Sequence, residues 1–253
     1  MKYEVNILKM LGAVAADGVP EVLAIGKLHS KQHGFLMPLY KADMLQEARL
    51  KGLLSEDTVM RMGSQVLAVL KKLHSIGYLH RDIKPQNVML NEQGKAHLID
   101  YGISMPYRNK KGDHVPKRKV MFHEGTFSFL SQNQTRGFVA SRRDDIESLL
   151  YTMLFLLKNK LPWKGFALFR REFTQTREAE IEYKSKRRAI RDSEIARHFP
   201  DSLRPAFMYI RRVRFADEPD YSYLDDVFNG RTRESFRAYS ASQYLDIPSS
   251  SIT

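Results

Sequence analysis

Apolar positions fall into helical register at the start of the chain, where Val5, Leu8 and Leu11 recur at three-residue spacing over residues 2–11. Gly12 and the turn Asp17-Gly18-Val19-Pro20 end that helix. Two runs of strand character follow, 22–28 and 34–40, joined by a polar turn. Helical signals return over 42–51 and again from Ser55, a good cap for a helix with Glu56 and Asp57 in its first turn. Val59, Met62, Val66, Val69 and Leu73 then line one side, which predicts a buried stripe. Over residues 77–102 the spacing changes to short strands and turns, including a pair at 88–90 and 96–99 turned by Asn91-Glu92-Gln93-Gly94. After a basic loop, everything from about Arg142 onward reads as helical. The pattern therefore predicts a thin α/β start joined near residues 37–41 to a mainly helical body.

Composition narrows the class. The longest apolar run, 149–157, is too short to span a bilayer, and Asn6 and Lys9 interrupt any signal-peptide stretch. With no cysteine, disulfides and thiolate metal sites are excluded. These features predict a soluble chain of the cytoplasm, the nucleus or both, with no membrane partner. Forty-one Lys+Arg against 29 Asp+Glu leave a net charge of +12, a field that attracts nucleic acid, anionic lipid, or acidic and phosphorylated proteins. The basic residues cluster at 108–119, 170–191 and 204–214, where solvated faces are expected. Lys184-Ser185-Lys186-Arg187-Arg188 resembles a nuclear-import patch but is expected to be an exposed helix face. Nucleic-acid binding is not expected, because Tyr183 and Phe215 show no periodic stacking pattern. Nor is zinc at His29 and His33, which sit across a turn.

The chemistry lies in His80-Arg81-Asp82-Ile83-Lys84-Pro85-Gln86-Asn87, followed by Ile99-Asp100-Tyr101-Gly102. Phosphoryl transfer asks a protein for positioning and charge neutralisation more than for covalent chemistry. Asp82 is placed to orient or accept the proton of an attacking hydroxyl, and Lys84 to offset charge on the transferred group. Asn87 and Asp100 supply the oxygen ligands that Mg²⁺ prefers. Five fixed positions of this type arise by chance in such a chain with probability on the order of 10⁻⁴.

The pattern H-R-D-x-K-x-x-N with D-x-G resembles protein kinases, and Lys84 within it resembles the serine/threonine class. Further along, Gly125-Thr126-Phe127-Ser128-Phe129, Ser131-Gln132-Asn133, 141–149, Leu161-Pro162-Trp163 and 214–224 resemble the casein kinase 1 family. Tyr101 and the stretch 117–125 also resemble the vaccinia-related kinases. The resemblance spans residues 3–240. It implies an α+β, protein-kinase-like fold: a partial small lobe of one helix and two strands in 1–40, a mainly helical large lobe in 41–240, and a short tail in 241–253. It implies ATP and Mg²⁺ as cofactors and protein substrates, acidic ones among them.

Carried over by position, the resemblance makes Met37 the gatekeeper of an adenine pocket, with the Pro38 carbonyl and the Tyr40 N–H as the adenine contacts. Met89 becomes the pocket floor and Ile99 its back wall. Asp145 is expected to accept N–H groups of the catalytic loop, Thr126 to bond toward Asp82 and Lys84, and His80, Arg81 and Gly102 to support the loop. Glu4 matches the helix glutamate that pairs with a small-lobe lysine. That lysine and the glycine-rich phosphate loop are expected upstream of Met1, so a non-catalytic kinase-like binding protein is the alternative. The family's phosphate-reading basic residues correspond to Ser128 and Thr174, which predicts weakened recognition of primed substrates. Arg170, Arg171, Lys184, Lys186, Arg187 and Arg188 remain as a candidate acidophilic surface.

Overall fold

The computed structural model describes residues 2–14, 17–29, 32–120, 124–163 and 185–231. Helix α1 (Lys2–Ala13) buries Val5, Ile7, Leu8 and Leu11, one stripe at the predicted spacing. The turn after it is stitched to the body of the protein: the Gly18 carbonyl accepts a hydrogen bond from Leu98 N at 2.9 Å. Gly18 has φ +83, and a Cβ there would lie 2.9 Å from Val69 Cγ2 and 3.0 Å from the Ala96 carbonyl. Glycine is required twice over, by backbone conformation and by space.

Strands β1 (Ala24–His29) and β2 (Gln32–Leu36) form an antiparallel hairpin, with Ala24 opposite Leu36 and Gly26 opposite Gly34. The second strand stops short of the predicted residue 40. Pro38 has no N–H to give a ladder, and pairing resumes only where Lys41 N donates to Leu90 O at 2.9 Å. Strand β3 (Ala42–Asp43) joins β5 (Val88–Leu90), which pairs in turn with β6 (Ala96–Leu98). The next helix, α2 (Met44–Lys51), therefore starts two residues later than 42, with Asp43 and Gln46 closing a capping box.

Helix α3 (Glu56–Ser75) is capped by Ser55, whose hydroxyl accepts from Thr58 N. Its predicted stripe is buried throughout and packs against α5 (Arg142–Lys158) and α8 (Tyr221–Phe228). Between α3 and α5 lie the short pair β4 (Tyr78–Leu79) and β7 (Met105–Pro106) and helix α4 (Gln132–Thr135). From Ile146 to Leu156 every residue of α5 is buried, so this helix is the centre of the large lobe. Gly63 lets α3 approach it closely, because a Cβ there would collide with the end of Met153. The helical run predicted after Arg142 breaks into α5, a turn of helix at 185–189, α6 (Asp192–Ala196), α7 (Arg204–Arg212) and α8, separated by turns at 197–203 and 213–220.

The exposed face expected over 184–188 holds at Ser185, Lys186 and Arg188 and needs correction at one position. Arg187 is fully buried, and Arg188 Nε is tied to the Thr135 carbonyl at 2.8 Å. Arg170, Arg171, Thr174, Lys184 and the 241–253 tail lie outside the described residues. No helix of the described residues is long and apolar enough to cross a membrane.

The fit at Gly18 yields a test. Gly18→Ala forces a left-handed alanine against Val69 and the Ala96 carbonyl, and should cost about 2 kcal/mol. Urea denaturation followed by circular dichroism should show a lower midpoint with an unchanged slope.

Candidate active site

The catalytic-loop segment leaves β4 at residue 80 and is held from below by one carboxylate. Asp145, in the first turn of α5, accepts His80 N at 2.7 Å on Oδ2 and Arg81 N at 2.8 Å on Oδ1. His74 Nε2 lies 2.9 Å from the same Oδ2, and His74 Nδ1 lies 2.6 Å from the Tyr221 hydroxyl. Burial pushes the Asp145 carboxyl up, but His74, His80 and the loop N–H groups outweigh it and hold the group below the usual aspartate range.

His80 is wholly buried. Its Nδ1 accepts from Asp82 N at 3.3 Å, so the ring proton sits on Nε2 and is donated to the Ile99 carbonyl at 3.1 Å. Arg81 and Asp100 both have left-handed backbones, φ +76 and +65. Such backbones cost on the order of 1–3 kcal/mol each and persist only where neighbours fix them.

The Asp82 carboxylate accepts four hydrogen bonds. Its Oδ1 accepts Thr126 N and Thr126 Oγ1, both at 2.8 Å. Its Oδ2 accepts Lys84 Nζ at 2.6 Å and Asn87 Nδ2 at 3.2 Å. Lys84 Nζ also donates to Thr126 Oγ1 at 3.0 Å, closing a triangle of the three side chains. Burial works against ionisation here too, yet Lys84 and Thr126 hold the carboxyl below its ordinary range.

Asn87 and Asp100 are brought together by the sheet. Ile99 N donates to Asn87 O at 2.9 Å, immediately before Asp100. The Asn87 amide nitrogen is committed to the Asp82 carbonyl at 2.9 Å, which turns its oxygen away from that bond. The Asp100 carboxylate is exposed and meets Gly102 N at 3.4 Å. An amide oxygen and a carboxylate carried on these hydrogen-bonded segments are of the donor type that Mg²⁺ prefers. Met89 and Ile99 are half-buried beside them, with Met89 opposite Asp43 in the β3–β5 register. Met37, expected beside a pocket, is 40% exposed on the extended segment. Among the described residues neither the Pro38 carbonyl nor the Tyr40 N–H is used in a hydrogen bond, so both are open to a ligand. The Tyr40 ring lies against His97 with centroids 4.9 Å apart.

Glu4 reaches the site from α1, accepting Tyr101 N at 3.2 Å. Burial and the nearby Asp100 carboxylate push its carboxyl up. Tyr101 is fully buried, edge-on to His80 with centroids 5.0 Å apart. Its hydroxyl has no hydrogen-bond partner among the described residues.

The segment opposite the loop is fastened to it residue by residue. Glu124 pairs with Arg81 Nη2 at 2.9 Å. Gly125, at φ +103, lies so near the Arg81 carbonyl that a Cβ would sit 2.5 Å from that oxygen. Thr126 binds Asp82. Behind it, Glu147 of α5 accepts Gln132 N at 2.8 Å, Tyr151 Oη at 2.6 Å and Arg211 Nη1 at 2.7 Å, all but out of solvent. Arg211 bonds Asp192 as well, at 3.0 Å. Sequence reasoning gave Glu147, Arg211 and His74 no role. Of these, Glu147 and His74 carried a signal: charge and imidazole amid apolar helical positions.

The buried imidazole makes stability depend on pH. Burial holds His80 below the ordinary histidine range. Between about pH 7 and pH 5 the unfolded chain takes up a proton on His80 that the folded chain refuses, so stability falls as pH falls. Urea midpoints across that window should fall less steeply for His80→Gln than for the unaltered chain.

Two comparisons bear on this arrangement. The protein kinase domain model matches residues 3–209. A "probable casein kinase I homolog" of Encephalitozoon cuniculi is 34% identical over 170 residues, which cover 66% of this chain and 52% of the relative. The chain thus spans about half the length of that relative. A loop carrying His80, Asp82, Lys84 and Asn87, a facing Asp100 and a match over most of the chain have one reading: the chain belongs to the protein kinase family, in its casein kinase 1 group.

Proposed function

We propose that the chain transfers the γ-phosphate of ATP to serine or threonine hydroxyls of proteins. The observation that carries this reading is the four-donor environment of Asp82. One oxygen is occupied by Thr126, the other by Lys84 and Asn87. Held below its ordinary range, Asp82 is ionised at neutral pH but is a weak base. Its contribution is to orient the incoming hydroxyl and to receive the proton late, as a loose transition state requires. Lys84, already in contact with Asp82 and Thr126, offsets charge that builds on the transferred group. Asn87 and Asp100 would hold Mg²⁺, which when bound neutralises charge on the β- and γ-phosphates. The open Pro38 carbonyl and Tyr40 N–H support adenine recognition along the extended segment.

A second reading, binding without transfer, is favoured by Glu4: its carboxyl meets a backbone N–H, and burial and Asp100 push it up. Turnover separates the two. With Mg²⁺, labelled ATP and an acidic serine peptide, the full chain should incorporate phosphate into serine. Asp82→Asn should lower kcat about a hundredfold or more. Asp100→Asn should do likewise, and a rate within threefold of the unaltered chain would remove Asp100 from the metal site. Nucleotide binding by calorimetry with no incorporation would establish the second reading.

Specificity has its own test. Ser128 stands where the family has arginine, so phosphoserine three residues before the target should help less than fiftyfold. Two charge-assisted contacts would supply roughly a hundredfold. The measurement is kcat/KM on paired peptides.

A further inference from the structure

Arg187 is among the largest fully buried side chains of the described protein, and neither the phosphate-transfer geometry nor the family pattern accounts for it. Its guanidinium donates from Nη1 to the Phe127 carbonyl and from Nη2 to the Leu130 carbonyl. It stacks on the Trp163 ring with Cζ 3.8 Å from the centroid, and faces Tyr151 at 5.4 Å. Its own carbonyl accepts Gln132 Nε2 at 3.5 Å.

The two carbonyls bracket residues 127–130, the turn that follows Thr126. Thr126 is the residue whose N–H and hydroxyl both bind Asp82, and its carbonyl accepts Phe129 N at 2.9 Å. Whatever fixes residues 127–130 thereby fixes the partner of Asp82 and the wall beside it. A planar fork reaching two carbonyls from one cation suits this better than an ammonium. The aromatic faces of Trp163 and Tyr151 lower the cost of burying its charge.

We infer that Arg187 is a positioning residue for the substrate-facing turn 127–130, setting the register in which a peptide meets Asp82. The inference rests on the phosphotransfer reading for its consequence in catalysis, but not for the clamp itself. It also explains the chemistry left at Ser128. The buried cation of this turn is spent on backbone carbonyls beneath it rather than presented to a substrate phosphate.

The test compares the full chain with Arg187→Met, which keeps the stem's packing, and Arg187→Lys, which keeps the charge. Amide hydrogen exchange at residues 126–130 should rise at least tenfold in Arg187→Met while α3 and α5 stay protected. Calorimetric Kd and, where turnover occurs, KM for an acidic serine peptide should rise about tenfold, with the MgATP values within twofold. Arg187→Lys should recover part of both losses. Fluorescence of Trp163, the single tryptophan, reports whether the stacked cation has gone.

Unchanged exchange at 126–130 would overturn the clamp. Loosening across α3 and α5, or equal losses for peptide and MgATP, would make Arg187 a general stabilising residue and overturn the positioning role. A loosened turn with unaltered peptide affinity would overturn it as well. If the unaltered chain incorporates no phosphate, phosphotransfer fails as a reading. The exchange and peptide-binding results still decide the case for Arg187.

Discussion

The site depends on a buried carboxylate at the start of the central helix. Asp145 is where the large lobe's most buried element meets its most strained backbone. Two consecutive N–H groups, those of His80 and Arg81, end on its two oxygens. Arg81 then runs in a left-handed conformation that nothing intrinsic to arginine favours. Without an acceptor there, two buried donors would go unpaired, at about 1–3 kcal/mol each. Because α5 is buried on every side, the carboxylate cannot drift, and the loop inherits the rigidity of the core. His74 and Tyr221 extend the same chain of contacts to α3 and α8, so three helices share in holding one loop.

A second constraint runs from the opposite side. Glu124, Gly125 and Thr126 meet Arg81 and Asp82 in succession, through an ion pair, a backbone contact and two hydrogen bonds. The turn after them is gripped by Arg187, and the residues after that by Glu147 and Arg211. Asp82 thus lies between two supports that both end on the N-terminal half of α5, one at Asp145 and one at Glu147. The hydroxyl of an incoming residue meets groups already in place, and little reorganisation is left for the moment of reaction.

Much of this was legible in the sequence because its signals are local. Ser55 with Glu56 and Asp57 marks a helix start whatever the rest of the chain does. The residues from His80 to Asn87 carry chemistry in their spacing alone. Gly18 was visible as a breaker in its turn, whereas Pro38 was read only for its carbonyl, and its effect on the end of β2 was not anticipated. What stayed hidden depends on partners far along the chain. Arg187 reads as one more cation in a basic run; only the fold brings Trp163, Tyr151 and two carbonyls around it. Glu147 and Arg211 are 64 positions apart, and no periodicity links them. Met37, the residue expected beside a pocket, lies on the extended segment beyond β2 and is 40% exposed.

The close passage of α3 and α5 at Gly63 carries a consequence for the chain's chemical ageing. Met153 fills the space that Gly63 leaves, and its sulfur is shut away from solvent while the helices stay together. An oxidant reaches it only when they part. The sulfoxide that forms is bulkier and polar, and the gap beside a glycine backbone has neither the room nor the hydrogen-bond donors to accept it. Unfolding in an oxidising solution would therefore act as a ratchet: each excursion risks a modification that bars the way back, until a reductase removes the oxygen.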